Sequence, residues 1–133
     1  MTYYMSTVLG MPIEEAIERI ETALSEEGFG VLTRIDVSKT LRDKIDVSFR
    51  PYVILGACNP KLAFDALQIE DKVGTMLPCN VVVQEISPGE SEVAAIDPVA
   101  SMQAIDSAEL TAAAEQVRER LAKVVSSLAD EPK

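Results

Sequence analysis

Apolar positions in this chain change period several times, and each change marks an element. Residues 3–9 mix aromatic, Thr and Val with small residues and predict an opening strand that Gly10 ends. Pro12 then stands where a first helical turn tolerates proline. Ile13, Ala16, Ile17, Ile20 and Leu24 recur at steps of three and four, predicting a helix with one apolar stripe that stops at Gly28. Glutamates fill its other faces, as expected of a helix lying on a sheet with its charged side in water. In residues 30–37 the alternation of Val31, Thr33 and Ile35 predicts a second strand. Asp36 or Ser38 is placed to cap a short helix through Leu41 and Ile45.

Arg50-Pro51 breaks any helix, and residues 52–57 (Tyr-Val-Ile-Leu-Gly-Ala) read as a strand. Asn59-Pro60 supplies an N-cap and a first helical residue, and Leu62, Ala63, Ala66 and Leu67 carry a helix to about Asp71. Residues 72–86 read as extended, with the densest strand signal at Val81, Val82 and Val83. Ser87-Pro88-Gly89-Glu90 is a turn, and residues 92–96 form a last strand that Pro98 terminates. The closing helix is predicted to start near Asp106 or Ser107, where Asp106 and Glu109 have the form of a capping box. Leu110, Ala114, Val117, Leu121, Val124 and Leu128 then alternate steps of four and three. That seam packs on the sheet and is also available to a second subunit.

These elements fill one domain, residues 1–130, with residues 131–133 expected as a disordered tail. Acidic residues outnumber basic ones by 22 to 12, and the resulting charge of -10 repels a polyphosphate, so nucleic acid is excluded as a partner class. No apolar run approaches the roughly 20 residues that span a bilayer, and residues 1–8 lack a basic segment followed by an apolar one. The expectation is a cytoplasmic protein with no membrane partner. Two cysteines are too few for a disulfide-stapled scaffold and fit a reducing compartment.

Histidine is absent, which closes imidazole-assisted catalysis within one subunit and His-ligated zinc or haem. Two thiols alone do not make a structural zinc site, although Asp36 or Asp97 could complete one in space. No metal set and no cofactor is assigned. The C-x-x-C spacing, the phosphate-loop pattern and the Gly-x-Ser-x-Gly elbow are all missing.

What remains is a pair of near-mirrored motifs, Cys58-Asn59-Pro60 after one apolar run and Pro78-Cys79-Asn80 before another. A helix of about 12 residues descends about 18 Å from Asn59. An extended return at about 3.3 Å per residue then brings Cys79 back to the level of Cys58. On a parallel reading of the two strands, both Cys-Asn pairs face one crevice beside a helix start, a setting that favours anions and lowers a thiol pKa. The bland alternative is two buried small residues with Asn side chains serving the turns.

The runs at residues 51–60, 77–83 and 95–98 (Ala-Ile-Asp-Pro) together resemble the domain-of-unknown-function 302 family of small bacterial and archaeal proteins. The resemblance implies an α+β single domain, a mostly antiparallel sheet with helices packed on one side, similar to the TATA-binding-protein-like fold, and a homodimer. Its pattern falls on Gly56, Cys58, Asn59, Pro60, Pro78, Cys79, Asn80, Asp97 and Pro98. Three readings stay open. The first is a small-molecule or anion-binding domain whose ligand-binding residues are Cys58, Asn59, Cys79, Asn80 and Asp97. The second is a thiol-dependent enzyme or redox carrier with Cys58 and Cys79 as catalytic candidates. The third is a structural dimerisation module built on the 110–128 seam.

Overall fold

The computed structural model describes residues 2–129, so the expected tail at 131–133 lies outside the described residues. Strands β1 (Tyr4–Leu9), β2 (Gly30–Asp36), β3 (Tyr52–Cys58), β4 (Cys79–Ser87) and β5 (Glu90–Ile96) form one antiparallel sheet in the order β1-β5-β4-β3-β2. Helices α1 (Ile13–Glu26), α3 (Pro60–Ile69) and α5 (Ala108–Ala129) pack on one side of it, and the α+β expectation holds. A short α2 (Val37–Ile45) joins β2 to β3 and buries no residue fully.

Local chemistry explains the boundaries. Ala16, Ile17, Ile20 and Leu24 put the stripe of α1 into the core. Gly28, at φ +84°, turns the chain out of that helix in a conformation glycine adopts without a Cβ penalty. Asp36 caps α2 by accepting from the Lys39 N–H at 3.0 Å, and Asn59 caps α3 by accepting from the Leu62 N–H at 3.2 Å. Both caps were read from sequence.

Three expectations need correction. Residues 71–76 form a 3₁₀ segment, not an extended return, and carry buried Val73 into the interior. β3 and β4 pair antiparallel, with Ala57 opposite Cys79, so the parallel reading falls. β4 is antiparallel because the chain enters it at the end where β3 finished. The cap of α5 is Ser107, whose Oγ accepts from the Leu110 N–H at 3.1 Å, one position past the Asp106 box. Pro98 does more than end β5, since Pro98–Ser101 forms a one-turn helix, α4, capped by Asp97.

Two apolar clusters fill the interior. The main one joins the sheet, α1 and the C-terminal half of α5 through Leu121, Val124, Val125 and Leu128. A smaller one joins Ala66 of α3, Val73, Met102 and the N-terminal half of α5 through Leu110 and Ala114. The seam residues of α5 other than half-buried Val117 are thus buried inside one subunit. That removes the surface on which a dimerisation module along residues 110–128 was to rest.

Candidate functional site

Cys58 ends β3, Asn59 begins the turn into α3, and Cys79 begins β4 directly across the ladder from Ala57. All three line a cavity of about 30 Å³ between the end of the sheet, α3 and α5. The rest of its wall is almost entirely carbon, including Phe29, Leu62, Ala66, Pro98, Met102, Leu110 and Ala113. It is much smaller than the cavity of about 150 Å³ that holds a benzene ring.

Asn59 is the main polar group at this wall, and it is held tightly. It is buried and its Oδ1 takes the Leu62 N–H. A Cβ built on Gly28 would lie 3.0 Å from its Nδ2, so the C-terminal turn of α1 closes over the amide. Arg120 of α5 donates to the Glu27 carbonyl at 3.3 Å and braces the same turn.

Anion recognition is poorly served here. Pro60 has no N–H, the Leu62 amide is taken by the cap, and the Ala63 amide bonds the Asn59 carbonyl. No Lys or Arg lines the cavity. Lys61, on the first turn of α3, has its ammonium 3.1 Å from Asp65.

The two thiols are free and differ in setting: Cys58 is half-buried and Cys79 is buried. Burial, followed by the neighbouring Cys58, pushes the Cys79 thiol up to about 11. The lowered pKa expected at a helix start therefore does not apply to Cys79. The ladder matches Cys79 with Ala57, so the cysteines are one position out of register, yet both line the cavity and Cys58 lies near enough to act on the Cys79 thiol.

Asn80 falls on the other side. It is exposed on the helix-free face of the sheet, beside an open hollow of about 340 Å³ that it lines with Tyr3, Tyr4, Tyr52 and Gln84. Strand alternation after Cys79 was a sufficient signal for that separation. Asp97 does not line the cavity but stands behind it. Its Oδ1 accepts from the Val99 and Ala100 N–H groups at 3.0 and 3.4 Å, and its Oδ2 accepts from Arg118 Nε at 2.9 Å. Arg118 gave no local sequence signal, since its partner lies 21 positions away.

No helix among the described residues is long and apolar enough to cross a membrane. Residues 5–128 match the model of the family described as domain of unknown function DUF302. The chain is also similar to the crystal structure of an uncharacterized conserved protein DUF302 from Bacillus stearothermophilus, at 30% identity and a TM-score of 0.87. That match covers 95% of this chain and 98% of the other. No curated protein matches the chain.

Proposed function

We propose that this chain, which belongs to the DUF302 family, is a binding domain for a small neutral ligand, held in the cavity at Cys58, Asn59 and Cys79. The supporting observation is the lining: a void left at the meeting of sheet, α3 and α5, walled by carbon and sulfur with one fixed amide. Small-ligand sites have this make-up of apolar wall and few oriented polar groups. A neutral occupant is favoured over an anionic one because Pro60 has no N–H, the Leu62 and Ala63 amides are used internally and no Lys or Arg lines the cavity. The thiol-enzyme reading is weaker. At a pKa of about 11, Cys79 stays protonated at neutral pH, which leaves Cys58 without a ready thiolate partner.

Thermal-shift titration with benzene and indole is the test. Saturable stabilisation is expected, because ligand bound to the native state alone must raise the midpoint. Ala113→Phe, which adds a ring to the cavity wall, is expected to abolish the response. If neither probe raises the midpoint, or the filled variant responds equally, the reading fails.

We also propose that the homodimer forms through the helix-free face of the sheet. Ladder partners there form a central row of Ser6, Ala94, Val82, Ile54 and Ile35, without a charge. The adjoining row contains Val8, Glu92, Gln84 and Tyr52, and its carboxylate accepts from Gln84 Nε2 at 3.0 Å. On a chain of charge -10, a charge-poor face is where two copies meet with least repulsion, and interface cores are depleted in charge in the same way. Sedimentation velocity is expected to give a dimer for the wild type and a folded monomer for Val82→Lys. A wild type that stays monomeric at high micromolar concentration would count against the interface.

A further inference from the structure

The cavity sits on the boundary between the two apolar clusters. Phe29, Ala57 and Cys79 belong to the main core, while Ala66, Leu110 and Ala114 belong to the smaller one. A void at such a boundary marks atoms that lack partners, so the two clusters meet there without interlocking. A ligand the size of benzene, which needs a cavity of about 150 Å³, requires the boundary to part.

The connectivity shows where. α3 and the 3₁₀ segment leave the sheet after Cys58 and return at Cys79, opposite Ala57. α4 leaves after Ile96, next to the same end of the sheet, because Ala95 pairs with Val81. The cover made of α3, the 3₁₀ segment and α4 therefore joins the sheet at one end only and runs on into α5, so it can lift without breaking a ladder hydrogen bond. Among the described residues one ion pair joins the cap of α4 to α5, Arg118 Nε to Asp97 Oδ2 at 2.9 Å, beside the apolar packing of Val99 and Met102 with Leu110 and Ala114. This carboxylate is only 12% exposed, in contrast to the exposed carboxylates of the other ion pairs between described residues.

We propose that this cover opens as a cooperative unit while the sheet, α1 and the C-terminal half of α5 stay folded, and that the Asp97–Arg118 pair is its latch. The opening rests on the cavity reading for its purpose, as the route by which a neutral ligand enters. Its physical basis is independent of any ligand: a region with its own small cluster opens at lower free energy than the whole domain.

Cys79 reports the opening directly, since it is 8% exposed in the closed form and lines the boundary. The experiment uses the full chain with Cys58→Ser, labelled by 5,5′-dithiobis-(2-nitrobenzoate) across a urea series below the global transition. A model thiol peptide gives the rate for an open site. Labelling in the absence of urea is expected to run at least tenfold faster than global unfolding allows, with a urea slope below half of the equilibrium m-value. Arg118→Met is expected to speed labelling at least tenfold while keeping the small slope. Labelling that follows global unfolding in both rate and slope overturns the proposal. An unchanged rate in Arg118→Met overturns the latch. Silent benzene and indole titrations would remove the ligand reading and leave this measurement standing, and global-only labelling would remove the opening while a thermal shift stood.

Discussion

Gly56→Ala is expected to lower stability by about 2–4 kcal/mol, a cost in the upper range for overpacking a rigid site. Gly56 pairs with Thr33 on one side and Asn80 on the other in the middle of the sheet. A Cβ built there collides with Thr33 Oγ1 and stands 2.8 Å from Pro78 Cγ. Pro78 is a closed ring with no easy way out, and Thr33, a β-branched residue beside a register shift in β2, must change rotamer to clear the new Cβ. The chain needs glycine here for room, not for an unusual backbone angle. A domain of this size loses several degrees of melting temperature per kcal/mol, so the midpoint is expected to fall by roughly 10 °C. Thr33→Ala removes one of the two clashing groups, and the double variant should recover part of the loss. Equal stability of wild type and Gly56→Ala in urea titration would show that the strands separate at no cost, against the packing described.

The second large effect is alkaline. Cys79 has an ordinary value near 9, and burial raises it to about 11 in the folded chain. The sign follows from which state holds the proton. Below pH 9 both states keep it and the shift contributes nothing further. Between about 9 and 11 the unfolded chain releases its proton while the folded chain cannot, so unfolding gains up to about 1.4 kcal/mol per pH unit. The protein is expected to lose about 2–3 kcal/mol across that window from this group. Lysines and tyrosines also titrate there, so the control is Cys79→Ala, which retains all of them. Its stability is expected to start lower at pH 7 and to decline less steeply above pH 9. Parallel curves for the two proteins would mean that the buried thiol ionises without penalty.

Elements with a strong period were legible in the sequence, and so were caps with a single mechanism. Ile13, Ala16, Ile17, Ile20 and Leu24 placed α1, and Asn59-Pro60 placed the start of α3, because both signals are local. Residues 72–76 were misread because their tight 3₁₀ turn is held by buried Val73, a tertiary contact with no periodic trace. The direction of β4 followed from that misreading, since an extended return suits a parallel neighbour and a compact one lets the chain double back. Of the five residues expected to share a site, three line one cavity. Asn80 went to the far face by alternation, and Asp97 became a cap and ion-pair partner behind the wall. The Asp97–Arg118 ion pair was not legible because Arg118 is one of several charged residues on α5 and only the fold selects it.

Ala57 and Cys79 face each other across a ladder, yet the chain between them contains a helix and a 3₁₀ segment. In topological terms this is an ordinary β-hairpin whose loop has grown into a roof. The loop's two ends are already pinned a few ångströms apart by strand pairing, and the closure entropy rises only slowly with the number of residues inserted. The roof over the cavity can therefore be lengthened, shortened or rebuilt with new side chains while the five strands beneath keep their register. Strand register and the cover above it are carried by separate stretches of one polypeptide.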